Sequence, residues 1–265
     1  PCEIIYELMK LESTSQDEFL EESLDLAIKN MKNAGYELQN IVSIEIDPEL
    51  QFMGYAKIDL NKSSIVVADW ALDSDMLNGL ILHELAHIYF TEINSPSHQS
   101  EIINEVMSHV VEQEGLNKLE AKSLNEGFNH LQNIIVDDIV FQLMDNERER
   151  KLIQNFFVTW MSDEPTGNNL VDASLLARNA FALASLKRRN FLDESSQLSQ
   201  LMISKNRQFL SFYKYANKEK YELFEEFLTR FELNNESDFA SVLIEYFELL
   251  MNLLRPDSKS LETLR

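Results

Sequence analysis

The residues with the clearest chemical potential are His83-Glu84-Leu85-Ala86-His87, which fit the pattern H-E-x-x-H. On a helix, residues four apart share a face, so both imidazoles can reach one metal ion about 2 Å from each ring nitrogen. Glu84 lies on the adjoining edge of that face. There a carboxylate can take a proton from metal-activated water and later hand it to a leaving amine. The flanks, Gly79-Leu80-Ile81-Leu82 and Ile88-Tyr89-Phe90, are strongly apolar. Two histidines and a glutamate on a buried helix need partners, because unpaired polar burial costs kilocalories. A metal ion is the economical partner, and small Ala86 leaves room for it.

Positioning that motif requires a helix and something for it to rest on. Ser74 to Phe90 reads as the helix, with Asp75 near its N-terminus. Ahead of it, Ile41-Val42-Ser43-Ile44-Glu45-Ile46 alternates with period two and stops at Asp47-Pro48, the signature of a strand. Phe52 to Leu60 and Ser64 to Ala68 are two more strands, expected to form a hairpin through Asn61-Lys62-Ser63. Elsewhere the periodicity is helical. An opening helix over Asp17 to Asn33 carries its apolar stripe on Phe19, Leu20, Leu24, Ala27, Ile28 and Met31. After Ser95-Pro96, helices are predicted to Gln113, then over Lys118–Met144, Glu147–Met161, Leu170–Arg189, Ser196–Tyr215, Lys218–Phe231 and Ser237–Leu254. With only 6 Gly and 5 Pro in 265 residues, the chain is poor in turn formers, as helical proteins are. The expected fold is α+β and mostly α-helical: a small N-terminal β-sheet packed on the active-site helix, followed by an all-helical part. The loop Asp163–Asn169 is the expected boundary, giving an α+β domain over 1–162 and a helical part over 170–265.

The stretch from Gly54-Tyr55-Ala56 through Ile65-Val66-Val67 to His83-Glu84-Leu85-Ala86-His87 resembles the core of the zincin metallopeptidases, in which an edge strand precedes the active-site helix. The resemblance covers about 90 residues and does not extend over the C-terminal helices. It implies a zinc-dependent peptidase with one Zn2+ per chain, His83 and His87 as ligands and Glu84 as general base. The metzincin branch needs a Gly and a third His shortly after the motif; Ile88 to Asn94 supplies neither. The resemblance to the gluzincin branch implies instead a carboxylate ligand from a later helix. Asn133-Ile134-Ile135-Val136-Asp137-Asp138 is similar to the Asn-x-x-x-Asp element of some prokaryotic zincin-like proteins, which points to Asp137, with Asp138 beside it. His130, Asn133 and Asp137 share one face of an apolar helix, where a carboxylate is costly unless protonated, paired or metal-bound. Asn104-Glu105-Val106-Met107-Ser108-His109 resembles the Asn-Glu-x-x-Ser-Asp element of thermolysin-like enzymes and offers Glu105, although His109 stands where that element has Asp. Glu101, Glu105 and Glu112 also read as an ordinary solvated face.

His130, Asn133 and His109 are candidates to orient a ligand or to donate to the oxyanion of a substrate carbonyl. His98, Arg178, Tyr213 and Tyr215 are weaker candidates for the same task. Lys187-Arg188-Arg189 reads as a solvated helix end, and Phe156, Phe157 and Trp160 as core. If Ile65-Val66-Val67 forms an exposed sheet edge, an extended peptide can pair with it, so the expected substrate is a peptide or protein. With 23 Lys+Arg against 45 Asp+Glu, the formal charge of −22 repels phosphate backbones and anionic lipid, which argues against nucleic-acid and membrane partners. The lone cysteine, Cys2, excludes a disulfide framework or a multi-cysteine metal cluster. The first residues carry no basic-then-apolar leader pattern, so a cytoplasmic location is expected. The rival expectation is a non-catalytic, regulatory zincin-like protein whose helical half contacts a protein partner.

Overall fold

The computed structural model describes residues 2–59, 61–193, 195–233 and 238–255, with side chains from Asp17 onward. The protein is α+β and mostly helical. It divides into two compact units, Pro1–Ser95 and Pro96–Arg265. The boundary expected at 163–169 therefore lies within the second unit. The reason is that the helices on either side of that loop belong to one bundle. The loop itself is tied down by buried Asp172, which accepts hydrogen bonds from the backbone N–H groups of Thr166 and Gly167 and from the Thr166 hydroxyl.

In the first unit, helix α1 (Cys2–Asn33) buries Leu20, Leu24, Ala27 and Met31 at helical spacing, whereas Phe19, expected in the stripe, is 53% exposed. The helix stops at Gly35, whose φ of +94° suits a residue without Cβ, and the Tyr36 N–H closes the end on the Met31 carbonyl. Strands β1 (Ile41–Asp47), β2 (Gly54–Ile58) and β3 (Lys62–Ala68) form a sheet in the order β1-β3-β2. β1 runs parallel to β3, and β2 and β3 form the expected antiparallel hairpin. Leu60, the expected end of the second strand, lies outside the described residues. β3 is thus the central strand and not the exposed edge. Its run Ile65-Val66-Val67-Ala68 is buried at every position, as a strand covered on both faces must be. The edges are β1 and β2.

Helix α2 (Leu77–Glu92) carries the histidine motif and packs on α1, β2 and β3. Gly54 permits that packing: a Cβ there would lie 2.7 Å from the Val66 carbonyl oxygen and 3.1 Å from Leu80 of α2. At the far end of α2, Glu92 accepts from the backbone N–H groups of Gln39 (2.6 Å) and Asn40 (3.1 Å), tying the helix to the start of β1. Asn94, at φ +54°, ends the helix in the left-handed region that Asn tolerates.

The second unit contains α3 (Ser100–Gln113), α4 (Lys118–Leu143), α5 (Glu147–Trp160), α6 (Asn169–Arg188), α7 (Gln197–Phe212), α8 (Lys218–Arg230) and α9 (Phe239–Leu254). Ser237, the expected start of the last helix, lies outside the described residues. Side-chain caps at Asn117, Asn146, Asn168, Ser196, Asn217 and Asp238 open six of these helices. α6 is the hub, packing on α4, α5, α7, α8 and α9. From Asn179 to Leu186 it is buried at every position, and its alanines 173, 177, 180, 182 and 184 let the neighbouring helices approach. Lys187 and Arg189 are exposed, as expected of a helix end, whereas Arg188 is drawn into the bundle. Arg188 pairs with Asp138 (2.7 Å) and donates to the carbonyls of Leu228, Thr229 and Phe231, so it clamps α4 and α8 to α6.

Candidate functional site

The motif helix is apolar nearly all round, and Leu77, Ile81, Leu82, Leu85, Ala86 and Ile88 are all buried. Against that background His83 and His87 remain half-buried, one turn apart, with ring centroids 4.9 Å apart and planes at 73°. Glu84 is 7% exposed. The Ala56 N–H of β2 donates to its carboxylate. Burial pushes the Glu84 carboxyl above its ordinary range, while the neighbouring His83 imidazole and the Ala56 amide draw it back down. A desolvated carboxylate is a stronger proton acceptor than one in water, which suits a general base.

The spacing of β2 explains how Glu84 meets Ala56. Four helix residues rise about 6 Å and two strand residues about 6.8 Å. Leu80 over Gly54 therefore brings Glu84 to Ala56 in the next repeat. The hairpin register sets the direction of the amide. The Ala68 N–H donates to the Met53 carbonyl at 2.9 Å, so odd-numbered residues of β2 exchange bonds with β3. Gly54, Ala56 and Ile58 consequently turn their N–H and C=O groups away from β3, towards the free edge. Gly54 and Ala56 are two small residues at alternate positions, and this is the signal in sequence for a strand that a helix approaches closely.

Two imidazoles and a buried carboxylate fit part of a metal centre: the rings are close enough to serve one ion, and imidazole nitrogen is a donor type suited to zinc. Among the described residues, no group of three or more His, Cys, Asp or Glu gathers in a way that could hold a metal ion. The expected third ligands all belong to the second unit. Asp137 is buried on α4, on a stretch where Ile134, Ile135, Val136, Ile139 and Val140 are buried too. Asp138, its alternative, is withdrawn as a ligand: both its oxygens are engaged, Oδ2 by Arg188 at 2.7 Å and Oδ1 by Arg189 at 2.8 Å. Glu105 and His109 are exposed on α3, in keeping with a solvated face.

His130 and Asn133 line a groove between α4 and α6 together with Arg178. The His130 ring stacks on Phe181 at 5.0 Å, and burial, with Arg178 nearby, lowers its pKa to about 4, so it is neutral at pH 7. The Tyr213 hydroxyl donates to the Asn169 carbonyl at 3.1 Å, which gives it a structural task. Tyr215 packs edge-on against Tyr213, and the His98 Nδ1 lies 2.9 Å from the Ser97 hydroxyl. Phe157 is buried, whereas Phe156 and Trp160 are half-buried beside it. No helix among the described residues is long and apolar enough to cross a membrane.

No curated protein and no solved structure matches the chain. One family model does, over residues 13–244, a span that takes in the sheet, the motif helix and nearly all of the helical unit. The chain therefore belongs to DUF5781, a family of unknown function.

Proposed function

We propose that this protein is a zinc-dependent peptidase in which His83 and His87 hold the metal and Glu84 is the general base. The observation that carries the reading is the joint placement of three groups: two imidazoles side by side on one turn of α2, and on the adjoining edge of that turn a buried carboxylate fastened to the edge strand by the Ala56 amide. When bound, zinc supplies a Lewis acid that polarises a carbonyl and acidifies water. Glu84, desolvated and held in place, accepts a proton on its carboxylate and returns it to the leaving amine. The outward backbone groups of Gly54, Ala56 and Ile58 align an extended peptide along β2, which takes the aligning role expected of β3. The reading places the protein in the cytoplasm, where its single cysteine suits a reducing compartment.

The test combines elemental analysis of the purified chain with cleavage of denatured casein. The expected result is one zinc per chain, and cleavage that falls about 10²- to 10⁴-fold in Glu84→Gln with zinc retained. Undiminished cleavage by Glu84→Gln refutes the assignment of the base. Stoichiometric zinc with no cleavage by the unaltered protein favours a regulatory zincin-like protein instead.

A further inference from the structure

The groove between α4 and α6 lies wholly within the second unit and has a volume of about 590 Å³. That is ample for a small organic ligand. Trp160, Leu170, Leu175 and Leu250 supply apolar wall, and at its mouth Leu119 and Val171 are 67% and 45% exposed. Arg178 stands in this wall, half-buried. Its Nη2 donates to the Ser162 hydroxyl at 3.0 Å, its Nε is buried with no hydrogen-bond partner, and no described carboxylate lies within ion-pair distance. The Nδ1 of His130, next to it, is likewise buried without a partner. Buried polar atoms without a partner are costly, and a guanidinium without a counter-ion more so. In the groove of about 560 Å³ between α6, α7 and α8, by comparison, Lys187, Lys218 and Arg230 are each paired with a glutamate of α8, and the fourth cation of its lining, Arg207, is exposed to water.

We propose that the α4–α6 groove is a binding site for a small organic monocarboxylate with an apolar body, its carboxylate on Arg178 and His130 and its hydrocarbon along the apolar wall. The charge selects a monoanion. Arg178 contributes one positive charge, neutral His130 contributes none, and Lys122 and Glu126 at the rim offset each other at 3.6 Å. The planar fork of a guanidinium matches two carboxylate oxygens. In a chain of net charge −22, indiscriminate anion uptake is opposed, so binding must depend on this local arrangement.

Calorimetric titration of the full chain with octanoate, octanamide and inorganic phosphate tests the site. Octanoate is expected to bind at one site per chain, at least tenfold more tightly than octanamide or phosphate, and at least tenfold more weakly to Arg178→Gln. Equal binding of octanoate and octanamide overturns the proposal, as does phosphate binding as tightly as octanoate, no octanoate binding, or affinity unchanged in Arg178→Gln. The comparison of octanoate with octanamide uses the unaltered protein, so it decides the matter even if the variant fails to fold.

Discussion

The two units handle buried polarity in opposite ways. The first places a carboxylate beside two imidazoles on a single helix turn, where a cation would relieve the burial of Glu84. The second sets a guanidinium beside a neutral imidazole with no described carboxylate in pairing distance, where an anion would do the same. In the first, the groups come from one short motif and a strand amide. In the second, they come from two helices 48 positions apart in the chain, Arg178 on α6 and His130 on α4. A site contained in one helix can be read from spacing, whereas a site shared by two helices exists only once they pack.

Three measurements break or sharpen that contrast. The largest effect is expected at His130. Its folded pKa of about 4 lies below the ordinary 6.5, so the unfolded chain takes up a proton that the folded chain refuses. Stability is unaffected above pH 6.5 and is lost as pH falls from there towards 4, by about 3 kcal/mol. Urea unfolding at pH 7 and pH 4 checks this, and His130→Gln should remove that share of the acid sensitivity. If the variant and the parent lose stability in parallel, the imidazole is not held neutral. Slightly smaller is the effect of zinc on the first unit, about 2.7 kcal/mol at a hundredfold excess over the dissociation constant. Thermal melts with and without zinc should show the shift in the parent and none in His87→Ala; a shift that survives the substitution places the ion elsewhere. Smallest is Gly54→Ala, for which a destabilisation of about 2 kcal/mol is expected, because the added methyl meets a backbone oxygen that cannot move aside. A variant as stable as the parent in denaturant titration means that the Val66 carbonyl of β3 does not lie as close to Gly54 as described.

Most elements were legible because each carries its own period or stop. The alternation of Ile41–Ile46 and the left-handed Gly115 after α3 (φ +60°) are local signals answered by local structure. The pairing of His83 with His87 was legible for the same reason. What could not be read depends on distant partners. Ile65-Val66-Val67 is apolar enough to be a strand, but only the parallel arrival of β1 makes it central and leaves β2 at the edge. Asp138 looks as available as Asp137 until Arg188, 50 residues on, folds back onto it. The Asp163–Asn169 loop has the composition of a linker, yet Asp172 gathers its amides into the bundle. Arg178 is one of many cations in sequence, and nothing nearby in the chain distinguishes it.

The alternation along β2 also bears on selectivity. Gly54, Ala56 and Ile58 present their peptide groups outward, and Glu84 has already taken one of those amides. A chain laid along this border would be gauged by its repeat length, one contact for every second residue, with its side chains largely unread. Any preference for particular residues would then have to come from the walls around the border. Proteins of this architecture would then differ in what they bind through those walls, while this strip of backbone stays the same.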